Sequence, residues 1–125
     1  MVRDLGFPIE IIGASTARDA DGLAQSSRNL YLKPEERRNA GALQAALHRA
    51  SVRLATGESP SIALSEARDV LSQSGFGKID YVSLVDPATL EDLPDTPLPN
   101  GTIARLLGAA WMGRTRLIDN ISVTR

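Results

Sequence analysis

Hydrophobic residues recur every three or four positions through the middle of the chain, the spacing of a helix with one buried face. A first helix is predicted from Pro34, whose missing N–H suits an opening turn, to a stop at Gly57. Its apolar stripe is Ala40, Leu43, Leu47, Ala50 and Leu54. A second helix is predicted from a Ser59 cap and Pro60 to Gly75. Its apolar face is Ala63, Ala67, Val70 and Leu71. These two helices should pack as a pair or lie side by side on a sheet.

The pattern then changes to that of strands. Residues 79–85 are rich in β-branched side chains and stop at Asp86-Pro87, a turn former. After an irregular connection over 89–101, the apolar runs 103–111 and 115–123 flank a tight turn at Gly113-Arg114 and predict a hairpin. The order of elements predicts an α+β fold, with two packed helices on one face of a small, mainly antiparallel three-stranded sheet.

A short strand is also predicted near the N-terminus, over Phe7–Ile12, where Pro8 is tolerated close to the strand start. The sequence around this strand contains no obvious partner for it. We therefore expect it to be the last strand of a larger sheet whose other strands lie upstream.

Composition narrows the class of protein. The 125 residues suffice for one compact domain, and a net charge of −1 gives no general attraction to nucleic acid or to an anionic membrane. The absence of cysteine excludes a disulfide framework and a thiolate metal site. The sequence has neither an apolar run long enough to span a membrane nor a signal-peptide pattern. We expect a soluble cytoplasmic protein that binds neither nucleic acid nor membrane.

The segment Asp21–Asn29 carries the strongest candidate chemistry. Gly22 permits a tight turn or a close approach, while Ser26, Ser27 and Arg28 together offer hydroxyl and guanidinium donors that could surround a polyphosphate. The alternative is a surface turn in which Ser and Asn side chains satisfy their own backbone. Composition alone favours this alternative.

Other polar residues give weaker signals. Asp19 and Asp21 could hold Mg²⁺ through a nucleotide, although two carboxylates make a weak metal signal. The only histidine, His48, is interpreted as a flank position partly in solvent. Asp119, within an apolar strand, needs a partner, for which Arg116 and Arg105 are the candidates. Arg114 and Arg116 are either solvated charges on a sheet edge or part of an anion site shared with the Ser-Ser-Arg segment.

Several separated motifs resemble those of the pantothenate synthetase (pantoate–β-alanine ligase) family. The first is residues 16–29, with Ala-Asp-Gly-Leu-Ala before Ser-Ser-Arg-Asn, and it continues as Arg-Asn-Leu-Tyr-Leu-Lys-Pro-Glu-Glu-Arg to residue 37. The others are residues 80–87, which begin Asp-Tyr-Val and end Asp-Pro, and residues 113–121, Gly-Arg-Thr-Arg-Leu-Ile-Asp-Asn-Ile. The motifs occur in the family's order and extend over essentially the entire chain.

The resemblance implies a two-step reaction. Pantoate attacks the α-phosphate of ATP to give pantoyl adenylate and pyrophosphate, and the amine of β-alanine then displaces AMP. It further implies a Rossmann-like N-terminal domain followed by a smaller lid domain. Residues 1–17 would then be the terminal strand and linker of the first domain, and residues 18–125 the C-terminal lid.

The resemblance also implies site residues for ATP, with Mg²⁺ carried by the nucleotide. Ser26 and Ser27 would donate to the phosphates, Arg28 would neutralise charge on pyrophosphate, and Ala17 and Gln25 would contact ATP mainly through their backbones. Gln25 stands where the family usually has Met or Leu. Lys33 replaces the usual Ser or Thr before Pro34, so a helix cap should be lost.

The family's H-x-G-H motif and its pantoate-binding and β-alanine-binding residues belong to the N-terminal domain and have no counterpart in this sequence. We therefore expect no catalytic residues in this chain, no ligase activity from it alone, and the N-terminal domain as its partner. For the full-length enzyme the family implies a homodimer. A stand-alone, non-catalytic interaction module that keeps the lid fold is the alternative.

Overall fold

The computed structural model describes residues 18–25 and 27–125, and for Ser27 and Arg28 it describes the backbone alone. Within these ranges the elements are a 3-10 helix Ser27–Tyr31, helices α1 (Pro34–Ala40), α2 (Ala42–Ala55) and α3 (Pro60–Gln73), and strands β1 (Lys78–Val85), β2 (Ile103–Met112) and β3 (Thr115–Thr124). The predicted strand Phe7–Ile12 lies outside the described residues.

The three strands form one antiparallel sheet in the order β1-β2-β3. Helix α2 packs against α3 and against β2 and β3, while α3 also contacts β1. The predicted α+β fold, two packed helices on a small antiparallel sheet, is confirmed. Its β2–β3 hairpin turns at Gly113, whose φ of 62° is in the left-handed region that glycine adopts without strain.

The first predicted helix is divided into α1 and α2 at Gly41, so the prediction of one continuous helix is wrong. A Cβ built at Gly41 would lie 2.8 Å from the carbonyl oxygen of Asp21, because the segment before the 3-10 helix crosses the α1–α2 junction closely. The predicted stripe is nevertheless correct. Its five members are all buried: Ala40, Leu43, Leu47, Ala50 and Leu54.

The core lies between this stripe and the inner face of the sheet. Gly108 of β2 sits under α2, where an added Cβ would be 3.2 Å from Leu43 and 3.3 Å from Leu47. The missing side chain lets the helix approach the strand closely. From α3 the core receives Ala63, Ala67 and Leu71, and from β2 and β3 it receives Ala104, Leu106, Ala110, Leu117 and Val123.

The start of α3 is capped differently from the prediction. Ser59 occupies the N-cap position, but its side chain makes no capping hydrogen bond. The Ser61 N–H instead donates to Oδ1 of Asp95, at 2.8 Å, from the connection between β1 and β2. Before α1, the Lys33 N–H donates to Oε1 of Glu36 at 2.9 Å, which partly replaces the cap that Lys33 cannot supply.

Two smaller predictions are confirmed. Oδ1 of Asp86 accepts hydrogen bonds from the N–H groups of Ala88 (2.7 Å) and Thr89 (3.2 Å), which makes the expected turn after β1. His48 is exposed on α2. Across residues 18–25 and 27–125, none of the helices has both the length and the apolar character needed to cross a bilayer.

Candidate functional site

Residues 18–25, here called the anchor turn, form a tight loop that leads directly into the Ser-Ser-Arg segment. The Asp19 N–H donates to the Leu23 carbonyl at 2.8 Å, and the Gly22 N–H donates to the Asp19 carbonyl at 3.0 Å. Arg18 and Ala24 form an isolated antiparallel bridge across the base of the turn. Gly22 has φ 91°, a left-handed conformation that favours glycine.

The acidic side chains of the anchor turn bind Arg37 of α1. Its Nη1 lies 2.6 Å from Oδ2 of Asp21, and its Nη2 lies 2.7 Å from Oδ2 of Asp19. The hydrogen bond from Arg37 lowers the pKa of the Asp21 carboxyl below its usual value. Oδ1 of Asp21 also accepts the Leu23 N–H at 3.3 Å. Both carboxylates are therefore engaged in ion pairs with Arg37.

A second ion pair ties the start of the anchor turn to the sheet. Nη1 and Nη2 of Arg18 donate to Oδ2 and Oδ1 of Asp119, at 2.5 and 2.8 Å, and the Asp119 side chain is only 2% exposed. The Asn120 N–H donates to the same carboxylate at 2.7 Å. Nη1 of Arg18 also donates to the Gly22 carbonyl at 2.9 Å, so this guanidinium links β3 to the turn itself.

The predicted partners of Asp119 are wrong. Arg105 instead donates to Oδ1 of Asn120 at 2.7 Å, and Arg116 donates to Oδ2 of Asp80 at 2.7 Å. The alternation of β3 explains this result, because Asp119 is on the buried face with Leu117 while residues 116 and 120 are on the opposite face. That period-two pattern was readable in the sequence and could have excluded Arg116.

The structure describes only some of the site residues that were predicted from the sequence. Ala17 and Ser26 lie outside the described residues, and Ser27 and Arg28 begin the 3-10 helix. Gln25 is exposed, and its Nε2 donates to Oδ1 of Asp19 at 3.2 Å. Beyond the segment, Nδ2 of Asn29 donates to the Ala24 carbonyl at 3.0 Å. The chain is therefore held on both sides of Ser26.

An open cleft of about 620 Å³ lies between the end of the 3-10 helix and the β2–β3 hairpin, and it is lined by Tyr31, Trp111, Arg114, Thr115 and Arg116. Arg116 is neutralised by Asp80, whose pKa it lowers through their hydrogen bond. Arg114 forms no ion pair with any residue that the structure describes. The two arginines thus lie near the end of the helix that begins at Ser27.

Asp19 and Asp21 are poor candidates for metal ligands because their carboxylates already have charged partners. The carboxylates of Asp19 and Asp21 already accept charged hydrogen bonds from Arg37. Over residues 18–25 and 27–125, no group of three or more His, Cys, Asp or Glu side chains is placed to hold a metal ion. Arg18 and Arg37 were not recognised from the sequence as structural residues, since Arg18 binds Asp119, 101 residues away, and Arg37 binds Asp21, 16 residues away.

Comparison with known proteins gives the family to which this chain belongs. A family model described as pantoate-beta-alanine ligase matches residues 1–122. A pantothenate synthetase of Hyphomonas neptunium is 71% identical over 126 residues, covering 100% of this chain and 43% of the relative. One from Caulobacter vibrioides is 47% identical over 123 residues, covering 98% and 43%.

A crystal structure of pantothenate synthetase from Thermus thermophilus superimposes with a TM-score of 0.78 at 40% identity, covering 99% of this chain and 44% of that one. The chain belongs to the pantoate–β-alanine ligase family. It spans less than half the length of these relatives.

Proposed function

We propose that residues 18–125 form the C-terminal lid of a pantothenate synthetase, and that residues 1–17 are the terminal strand and linker of its nucleotide-binding domain. The observation that carries this proposal is the match of the family model to residues 1–122, together with a share of 43% of the Hyphomonas neptunium relative. The larger, unmatched part of that relative has room for a separate domain with its own core.

The whole enzyme would condense pantoate with β-alanine in an ATP-dependent reaction. Pantoate's carboxylate attacks the α-phosphate of ATP, which forms pantoyl adenylate and releases pyrophosphate. The amine of β-alanine then attacks the acyl carbon and displaces AMP, giving pantothenate. In the first step, negative charge moves onto the leaving pyrophosphate, so donors fixed around that group lower the barrier without transferring a proton.

In this reaction the chain contributes the phosphate donors. Ser26 and Ser27 donate to the ATP phosphates, Arg28 balances charge on the departing pyrophosphate, and Ala17 and Gln25 contact the nucleotide through their backbones. The support for these roles is the resemblance, together with the anchoring of the chain on both sides of Ser26 by Asn29 and the anchor turn. Small hydroxyl side chains and one guanidinium can approach a polyphosphate without steric crowding.

Mg²⁺ enters this scheme with the nucleotide. The two carboxylates nearest the segment, Asp19 and Asp21, are bound by Arg37 at 2.7 and 2.6 Å and would have to give up that partner to serve as ligands. Oxygen atoms of the ATP phosphates are the alternative ligands that Mg²⁺ ordinarily takes. The chain itself would therefore hold no metal.

The partner that completes the site is the N-terminal domain, and the complete enzyme would be a cytoplasmic homodimer. Without that domain the groups that align carboxylate and phosphate are missing, so the chain alone should be inactive. The balanced charge and the scarcity of aromatic residues argue against nucleic acid as a partner.

The test is calorimetric titration of ATP into the purified chain, with and without a separately expressed N-terminal part of the Hyphomonas neptunium relative. We expect saturable binding only in the mixture, and a variant with Ser26, Ser27 and Arg28 all changed to Ala should lose it. AMP release by the chain alone at the rate of a full-length relative would refute the division of labour. A mixture that binds no ATP would refute the phosphate role.

A further inference from the structure

The anchor turn is shaped by α1 and by the α1–α2 junction. Arg37 uses both terminal nitrogens on the turn, because Nη1 faces Asp21 and Nη2 faces Asp19 and, at 3.3 Å, Oδ1 of Asp21. The Arg37 side chain is 34% exposed, so these bonds form at the protein surface but face the turn. Its terminal nitrogens are thus already engaged by carboxylates.

The backbone of the turn has little space to move in the same place. A Cβ on Gly41 would lie 2.8 Å from the Asp21 carbonyl oxygen, and one on Gly22 would lie 2.7 Å from Oε1 of Gln44. Asp21 thus contacts the helices through its carboxylate and through its own carbonyl group. Loss of the Arg37 contacts would release the side-chain attachment while leaving the backbone close to Gly41.

We propose that Arg37 is a positioning residue for polyphosphate binding, because it fixes the anchor turn, which leads directly into residues 26–28, against α1. The inference rests on the proposed function of that segment. Arg37 acts through Asp19 and Asp21 and does not contact the phosphates itself. Fixed donors bind an anion better than mobile ones because their ordering cost has been met in folding.

Two substitutions that change the charge in opposite directions distinguish positioning from direct contact with the anion. Arg37→Ala removes a positive charge, and Asp21→Asn removes a negative one. If Arg37 touched the phosphates, Arg37→Ala would weaken ATP binding, whereas Asp21→Asn would strengthen it by removing a nearby negative charge. If Arg37 acts by positioning, both variants loosen the turn and both weaken binding, because Arg37→Ala removes the bonds to Asp19 and Asp21 and Asp21→Asn removes the charge of one of these two partners. The double variant should then be no weaker than Arg37→Ala alone, because the two side chains form one unit.

The experiment measures the ATP dissociation constant of the chain mixed with the N-terminal part of the relative. Arg37→Ala and Asp21→Asn should each weaken binding by roughly ten- to a hundredfold, the scale on which a misplaced functional group loses effect. Arg38→Ala is the matched control, since it removes the same charge from the adjacent, exposed position of α1. It should change the constant by less than about twofold, because salt screens an exposed charge.

Hydrogen exchange on the chain alone supplies a second readout. In both variants the amides of Asp19 and Gly22, which donate within the turn, should exchange faster, while those of α3 stay unchanged. Asp21→Asn decides the question if Arg37→Ala fails to fold. Unchanged or tighter ATP binding by Asp21→Asn would overturn the inference alone, whereas a wild-type mixture that binds no ATP would overturn the proposed function and this inference with it.

Discussion

We expect the ion pair between Arg18 and Asp119 to contribute more to the free energy of unfolding than any other single polar contact in the described part of the chain. It joins residues 101 positions apart, and it closes the start of the anchor turn onto β3. We predict that Arg18→Ala destabilises the domain more than Asp119→Ala, although both remove the same contact. The difference arises from what each variant leaves behind.

Arg18→Ala leaves a carboxylate whose side chain is 2% exposed and whose described hydrogen bond is the one from the Asn120 N–H at 2.7 Å. Breaking a buried ion pair in this way costs about 3–5 kcal/mol, and partial access of water through the Arg18 side places this one near 3 kcal/mol. Asp119→Ala leaves a guanidinium that is 22% exposed and can turn into solvent, so we expect about 1–2 kcal/mol.

Urea unfolding followed by circular dichroism measures both values, with a double-mutant cycle for the coupling energy. The matched control is Arg53–Glu66, which has a similar N–O distance of 2.7 Å but side chains that are 40% and 37% exposed. Its coupling should be about 0.2–1 kcal/mol, against about 2 kcal/mol or more for Arg18–Asp119. Equal coupling in the two pairs, or a larger cost for Asp119→Ala, would show that burial does not decide the strength of this contact.

Two further predictions concern the anchor turn. Gly41→Ala should lower the unfolding free energy by about 1–3 kcal/mol, because its Cβ would clash with the Asp21 carbonyl. The control Gly77→Ala has no atom within 4 Å of the added group and should cost less than about 0.5 kcal/mol. Similar urea midpoints for the two variants would contradict this prediction. The lowered pKa of Asp21 contributes stability that is complete above its ordinary value of 3.8 and is lost as pH falls through the folded value. Melting temperature measured from about pH 6 to pH 2 should therefore fall less steeply in Asp21→Asn than in the wild type, and parallel curves would contradict the assignment.

The same residues show which parts of the site the sequence could predict. The hydrogen bond from Asn29 to the Ala24 carbonyl, at 3.0 Å, fits the surface-turn alternative, in which an Asn amide satisfies a backbone group a few residues away. Partners of Asp119 and of the α3 N-terminus were predicted incorrectly. The correct partner of the Ser61 N–H, Asp95, is 34 residues away. No local pattern names a partner at such a distance.

Apart from the 3-10 helix and the break between α1 and α2, the sequence predicted the described helices and strands and their order, since helix and strand periodicities are set within a few residues by backbone geometry and by burial of one face. It also carried the motifs of the family. Three sets of contacts depend on the packed fold: Arg37 with Asp19 and Asp21, Arg18 with Asp119, and the Asp21 carbonyl with Gly41. These contacts depend on which chain-distant groups packing brings within about 3 Å of one another, the range of a hydrogen bond.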